Sequence, residues 1–348
     1  MRITSRLPRA VAVLAAVACL LPSVAVAPAR AGNGVPDARA DDGSHVVAQT
    51  TVDGDPRMLD LTVRSVGVGS YAMVRLILPS RWATEPDRKW PSVYLLAGET
   101  RLQDYRGWTA NTDIRELADD SGALVVMPGS GSAGFFSDWW NYGKDVVLNQ
   151  WETFTAVEIP QLIDRGYRGD GRRVAAGLSL GGYGAVELAA RRPGVFRFAG
   201  SFSGNLNPTG PYGELLTSAI VASARQDPEA LWGDRRREAS RWDAHDPLVN
   251  ADRLRGTELY LSTGNGLPGP YDGKLPIDVL PGAMLLEFLC SGQTTAMADR
   301  LNRLGVPVMT DFYGPGTHHW AYWQDQLHKT WPRMLRALSA PVKTGEAS

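Results

Sequence analysis

Short apolar runs alternate with longer amphipathic ones along most of the chain. The runs at 58–65 and 71–78 read as an opening antiparallel pair of strands. A run at 92–96 ends at Ala97-Gly98, and one at 123–127 ends at Pro128-Gly129. Residues 174–176 lead into Gly177, and 198–202 end at Ser203-Gly204. Two later runs, 258–262 and 308–313, end at Thr263-Gly264-Asn265-Gly266 and at Gly314. Between them the pattern predicts helices at 111–120, 151–164, 182–192, 281–304 and 320–338, with Pro332 expected to kink or split the last. Short buried strands alternating with helices predict an α/β fold: a central, mostly parallel sheet with helices on both faces, in a single domain. No internal repeat interrupts the pattern.

The ends of the chain read differently. Arg2, Arg6 and Arg9 precede an apolar run from 10 to 27, and Ala29-Arg30-Ala31 offers small residues where a signal peptidase reads. Residues 1–31 are therefore expected to be a secretory signal peptide cleaved after Ala31, which places the mature protein outside the cell. Residues 32–49, rich in Gly, Ala and Asp and without apolar periodicity, read as a disordered linker. A single folded domain is then expected at 50–338, followed by a flexible tail at 339–348. Cys19 leaves with the signal, so Cys290 is the one cysteine of the mature chain and no intramolecular disulfide is expected.

Composition narrows the function classes. Of 348 residues, 44% are hydrophobic and 21% charged, with a formal net charge of -1. A basic excess of the kind that nucleic acid or an anionic membrane requires is missing. The run Arg235-Arg236-Arg237, flanked by Asp234 and Glu238, reads as a solvated helix face. No second run is long and apolar enough to insert stably in a bilayer. No metal-ligand cluster or nucleotide fingerprint stands out, so neither metal nor cofactor is expected, and the protein is expected to be a monomer.

Gly177-Leu178-Ser179-Leu180-Gly181 matches G-x-S-x-G between an apolar strand and a small-residue helix. That context is the nucleophile elbow of the α/β-hydrolase fold, and it assigns Ser179 as nucleophile. A serine hydroxyl needs a base, which in this fold lies downstream. His318, in the loop after the last predicted strand, is favoured over its neighbour His319 and over the mid-helix His328; His45 and His245 are poorly placed. The acid must fall between Ser179 and His318. Asp272 and Asp278 follow the preceding strand, while Glu287 is embedded in the apolar helix Met284-Leu285-Leu286-Glu287-Phe288-Leu289, and the residues alone leave these alternatives open. The oxyanion hole is expected from the backbone N–H groups of Leu180 and Glu99, the latter in the loop Ala97-Gly98-Glu99-Thr100.

Beyond the elbow, the chain carries Asp104-Tyr105 with Gly107-Trp108, Phe136-Ser137-Asp138-Trp139, Trp151-Glu152-Thr153-Phe154, Gly264-Asn265-Gly266, and Gly316-Thr317-His318 with Trp320. This set resembles the antigen 85 mycolyltransferase group within the esterase D-like α/β-hydrolases. The resemblance implies a Ser-Glu-His triad of Ser179, Glu287 and His318, and supports Glu99 and Leu180 as oxyanion donors. It also departs from the family: Ala97 and Thr100 stand where the mycolyltransferases carry the Asp and Arg that contact trehalose, and Arg101 is one residue away. Arg101 and Trp320 are the expected substrate-binding side chains. The sequence thus points to a secreted serine esterase acting on acyl esters. The alternatives are an acyltransferase using a sugar or other alcohol as acceptor and, from another class, a non-catalytic binding protein on the same fold.

Overall fold

In a computed structural model, the structure describes residues 34–98 and 101–340, with the backbone only at 101–103. The expected signal peptide, Glu99, Thr100 and residues 341–348 lie outside the described residues. One sheet of nine strands runs through the molecule in the order β1-β2-β3-β5-β4-β6-β7-β8-β9. The strands are β1 (His45–Val52), β2 (Asp55–Ser65), β3 (Ser70–Ile77), β4 (Trp90–Leu96), β5 (Leu124–Pro128), β6 (Gly169–Leu178), β7 (Phe198–Phe202), β8 (Glu258–Thr263) and β9 (Met309–Phe312). The first three pair antiparallel, β3 joins β5 antiparallel, and the rest of the sheet is parallel.

The period-2 pattern of the strands sorts their side chains into two cores. Trp90, Tyr94 and Leu96 of β4 and Ala175 of β6 pack with Leu180, Tyr183 and Leu188 of helix α2 (Leu180–Arg191) on one face. Val93 and Leu95, with Val174, Ala176 and Leu178, pack on the other face with Trp323, Leu327, Trp331 and Met334 of helix α5 (Trp320–Ser339). Both faces of the parallel strands are buried, so their runs are continuously apolar. Helix α4 (Leu280–Arg303) packs Met297 and Leu301 against Leu259 and Leu261 of β8 and buries Cys290. Among the described residues no helix is long and apolar enough to cross a membrane.

Three expectations are corrected. Residues 45–49 are not linker: they begin β1, which pairs with β2 and buries Val46 and Ala48 on one face. Upstream, Asp41 is held by Arg165 and Gln161 of helix α1 (Ile159–Gly166). Helix α5 is not split at Pro332: it runs across it as one element, and both flanks are packed, with Trp331 and Met334 buried. The arginine run 235–237 lies in a turn between helix α3 (Pro228–Trp232) and the helix Ala239–Ala244, not on a helix face; Arg237 pairs with Glu229 and Asp234. The helix expected at 151–164 also widens into a π turn at Phe154–Glu158, which ends two residues before Pro160, a residue with no N–H for the ordinary ladder.

Glu158, at the end of that π turn, accepts hydrogen bonds from Ser65 Oγ at 2.6 Å and Gly67 N at 2.7 Å, and so holds the β2–β3 turn. Burial raises its pKa from 4.5 to about 7; the Ser65 bond opposes this and Asp42 adds to it. A carboxyl that holds its proton more tightly when folded stabilises the fold at low pH. That contribution should be complete below about pH 4.5 and disappear as the pH rises through about 7. Urea denaturation at pH 5 and pH 8 should show a smaller difference in Glu158→Gln than in wild type. An equal or larger difference in the variant would assign the pH dependence elsewhere.

Candidate active site

Strand β6 delivers the chain into a sharp turn. Ser179 has φ 51 and ψ -121, a conformation that L residues adopt only when their surroundings enforce it, at about 1–3 kcal/mol. The surroundings do so: Ser179 N donates to Phe202 O at 2.8 Å, and Tyr183 N to Ser179 O at 3.0 Å. A Cβ at Gly177 would lie 2.2 Å from Gly181 O, and one at Gly181 would lie 2.1 Å from Leu96 O. Only glycine permits that approach of β4, the elbow and α2. Leu180 opens α2, so its N–H stands among the first-turn donors that an α-helix leaves free for a negative charge. Gly98, after β4, packs against the elbow, where an added Cβ would sit 3.1 Å from Ser179 Cβ. The expected second oxyanion donor, Glu99, follows directly but lies outside the described residues, as does the side chain of Arg101. Asp104 ties this loop down through Ser130 Oγ, 2.9 Å away, in the loop after β5.

Glu287 and His318 are brought together. His318 Nδ1 lies 2.8 Å from Glu287 Oε2, and the carboxylate is fully buried. Its other oxygen accepts from Gly264 N at 2.7 Å, Ser203 Oγ at 2.8 Å, Thr263 Oγ1 at 2.9 Å and Tyr313 OH at 3.3 Å. Burial alone would push this carboxyl up. The bond and charge of His318, with Ser203 and Gly264, outweigh that effect and hold its pKa below the usual value. An ionised carboxylate only accepts, so Nδ1 carries a proton, and in the neutral ring Nε2 then presents a bare lone pair. Among the described residues that buried Nε2 has no hydrogen-bond partner, and it is not bonded to Ser179 in this structure. The His318 ring stands edge-on to Trp323, 4.8 Å between centroids, and Trp323 Nε1 donates to Ser203 Oγ at 3.2 Å. Ser179, Ser203, Gly264 and His318 follow β6, β7, β8 and β9 respectively. The group therefore lines the carboxyl ends of neighbouring parallel strands, where open α/β sheets bind ligands.

The other candidates lie elsewhere. Asp272 is buried but bonds Thr317, Tyr322 and Gly269 instead of an imidazole, and Asp278 is exposed. His328 pairs with Asp113 at 2.8 Å on the surface. His245 is buried against Ser137, with its imidazole pKa pushed well down by burial. His319 does not touch Glu287; it lines a cleft of about 390 Å³ with Asn111, Tyr271, Trp320, Gln324 and Asp325. Trp320 packs edge-on to Trp108 at 5.6 Å, and Gly107 lies beneath its ring. Ser203, Thr263 and Tyr313, the hydroxyls that hold Glu287, were not singled out from the sequence. The available signal was a small polar residue just past the end of β7 and one at the last position of β8.

The topology and the strained elbow define an α/β-hydrolase, and a buried Glu–His pair beside such an elbow is the arrangement this class uses for acyl chemistry. The chain belongs to the Esterase family, whose model matches residues 65–334. Diacylglycerol acyltransferase/mycolyltransferase Ag85A of Mycobacterium tuberculosis is 35% identical over 267 residues, 74% of this chain and 76% of the relative. The Ag85B enzyme of Mycolicibacterium smegmatis is 33% identical over 255 residues, 71% of this chain and 77% of the relative. Among solved structures, Mycobacterium tuberculosis MPT51 superimposes with a TM-score of 0.68 at 24% identity, covering 82% of this chain and all (100%) of that one. An S-formylglutathione hydrolase from Agrobacterium tumefaciens does so with a TM-score of 0.62 at 17% identity, covering 84% and 99%. The chain is an enzyme of the ester hydrolase and acyltransferase class.

Proposed function

We propose that this protein is a secreted serine esterase that hydrolyses acyl esters through an acyl-enzyme on Ser179. The observation that carries the reading is His318, whose Nδ1 is held by the buried Glu287 carboxylate and whose Nε2 has no hydrogen-bond partner among the described residues. Ser179 Oγ attacks the acyl carbonyl as its proton passes to Nε2. The ester C–O bond breaks and the leaving alcohol takes that proton. Water then attacks the acyl-enzyme and gives a proton to Nε2, the carboxylic acid departs, and Ser179 regains its hydrogen. Leu180 N–H and the backbone of Glu99 are assigned to the oxyanion. A fluorophosphonate should add one phosphonyl group to Ser179, read by mass spectrometry of the peptide. An unlabelled, folded protein would favour a binding protein on this fold.

Water is proposed as the principal acceptor, because the charged pair through which the mycolyltransferases contact trehalose is replaced by Ala97 and Thr100. Ala97 is buried, and its methyl faces Gly107. The second reading, transfer to a sugar or another alcohol, is favoured by the cleft lined by His319 and Trp320, whose aromatic, amide and carboxylate groups suit a polyol. With a short acyl ester and trehalose together, hydrolysis should exceed transfer at least about tenfold. Chromatography of the acylated sugar decides this, and efficient trehalose acylation would make the transferase reading the better one. An added Asp at Ala97 would be buried, so the unmodified protein gives the decisive measurement. Export is proposed from the N-terminal pattern. The secreted protein should begin at Gly32 on N-terminal sequencing and run as a monomer in light scattering; retention of residues 1–31 would overturn the signal assignment.

A further inference from the structure

Asp272 was a sequence candidate for the triad acid, and its carboxylate is buried beside the triad without touching it. Its Oδ1 accepts from Thr317 Oγ1, the residue before His318. Its Oδ2 accepts from Tyr322 OH and from Gly269 N, each at 2.7 Å. These donors come from three segments: the loop after β8, the loop after β9, and the first turn of α5. The two loops are already laced together by Gly266 N to Gly316 O at 3.0 Å and Gly316 N to Leu267 O at 2.7 Å. On the far side of Thr317, His318 N donates to Ala283 O of α4 at 3.2 Å, on the helix that carries Glu287. Nothing in acyl transfer uses this carboxylate, yet it is fully supplied with donors and 5% exposed.

Resting on the proposed serine-esterase reading, we propose that Asp272 is a positioning residue for His318. Through Thr317 and Tyr322 it fixes the loop that aims the imidazole. His318 is then held at three points: Ala283 O at its backbone, Glu287 at Nδ1, and the Asp272–Thr317 bond at the residue before it. Of the remaining freedom, rotation of the 316–318 backbone would carry Nε2 off the elbow while the Glu287 bond persists. The Asp272 clamp opposes that rotation. The clamp is tight: a Cβ at Gly269 would lie 2.6 Å from Tyr322 OH, and one at Gly316 would lie 2.8 Å from the Tyr322 ring. A loosened clamp therefore has no nearby alternative packing. Misplacement of a base by about 1 Å costs on the order of 100-fold in rate.

Asp272→Asn should lower kcat about 10- to 100-fold per titratable site, with KM within about threefold. Active sites are counted by fluorophosphonate titration, so partial unfolding does not enter the value. Thr317→Val should reproduce the loss and Thr317→Ser should restore it. In the Asp272→Ala/Thr317→Val double variant the losses of the two single variants should not add, because each removes the Asp272–Thr317 bond. Per-site kcat within about twofold of wild type in both Asp272→Asn and Thr317→Val would overturn the inference, as would full additivity. If Asp272→Asn fails to fold, the Thr317 pair decides alone. Ser179→Ala and His318→Ala are run in the same assay: inactive controls with a normal Thr317→Val sink only this inference, whereas active controls sink the serine-esterase reading itself.

Discussion

Ser179→Ala should lose at least about 10³-fold in kcat for any ester the enzyme accepts, while folding normally. The expectation rests on the covalent step. In the proposed mechanism the Oγ is the atom that bonds the acyl carbon, and among the described residues His318 Nε2 has no hydrogen-bond partner that could replace it. Little packing is lost, since Ser179 is half-buried and its backbone bonds to Phe202 and Tyr183 use main-chain atoms that alanine keeps. The strained φ of 51 is as demanding for alanine as for serine, so stability should change little. A melting temperature near wild type with residual turnover from the oxyanion donors is the expected pair of results. Near-normal hydrolysis by a folded Ser179→Ala protein would remove the nucleophile from this position. Alternatively, a wild-type-like fluorophosphonate adduct on the variant would show that another residue reacts.

The parallel part of the fold follows closely from the hydrophobic pattern because each strand there is buried on both faces. Residues 198–202 were expected as a strand and form β7, and 258–262 fall within β8. The elbow was legible for a different reason: Gly177 and Gly181 stand where no Cβ fits, so local sterics write themselves into the sequence. Strand β1 was hidden because it lies at the sheet's edge, and its two buried side chains, Val46 and Ala48, are too few to show against a Gly- and Asp-rich background. The acid is the least legible of the site residues. Glu287 meets its partners across separations of 84 residues to Ser203, 24 to Thr263 and 31 to His318, and no local pattern encodes those meetings. Resemblance to a family favoured Glu287 over Asp272 and Asp278, and the hydrogen bonds give the physical reason. A carboxylate with several donors on one oxygen stays ionised while buried, and its second oxygen remains free to hold an imidazole.

That division of labour between the two oxygens makes Glu287→Gln a severe change despite its equal size. The donors Gly264 N, Ser203 Oγ and Thr263 Oγ1 converge on one oxygen, so the amide must turn its carbonyl toward them. Its NH₂ then faces His318 Nδ1. The imidazole can keep that contact only by accepting there, which moves its own proton to Nε2 and removes the lone pair that Ser179 needs. Loss of the negative charge also leaves the imidazolium of the transition state unsupported. The expected cost is about 10³- to 10⁴-fold in the rate of acylation at neutral pH, comparable to replacing His318 by Ala. Asp278→Asn, on the exposed side of the chain, should leave acylation within about twofold. His319→Ala should be milder than His318→Ala, because Glu287 is hydrogen-bonded to His318 and not to His319. Single-turnover acylation with an activated ester reads all four variants in the same units. A fast Glu287→Gln enzyme with a crippled Asp278→Asn would place the acid after β8, and equal losses at His318 and His319 would show that the loop, not one imidazole, limits the step.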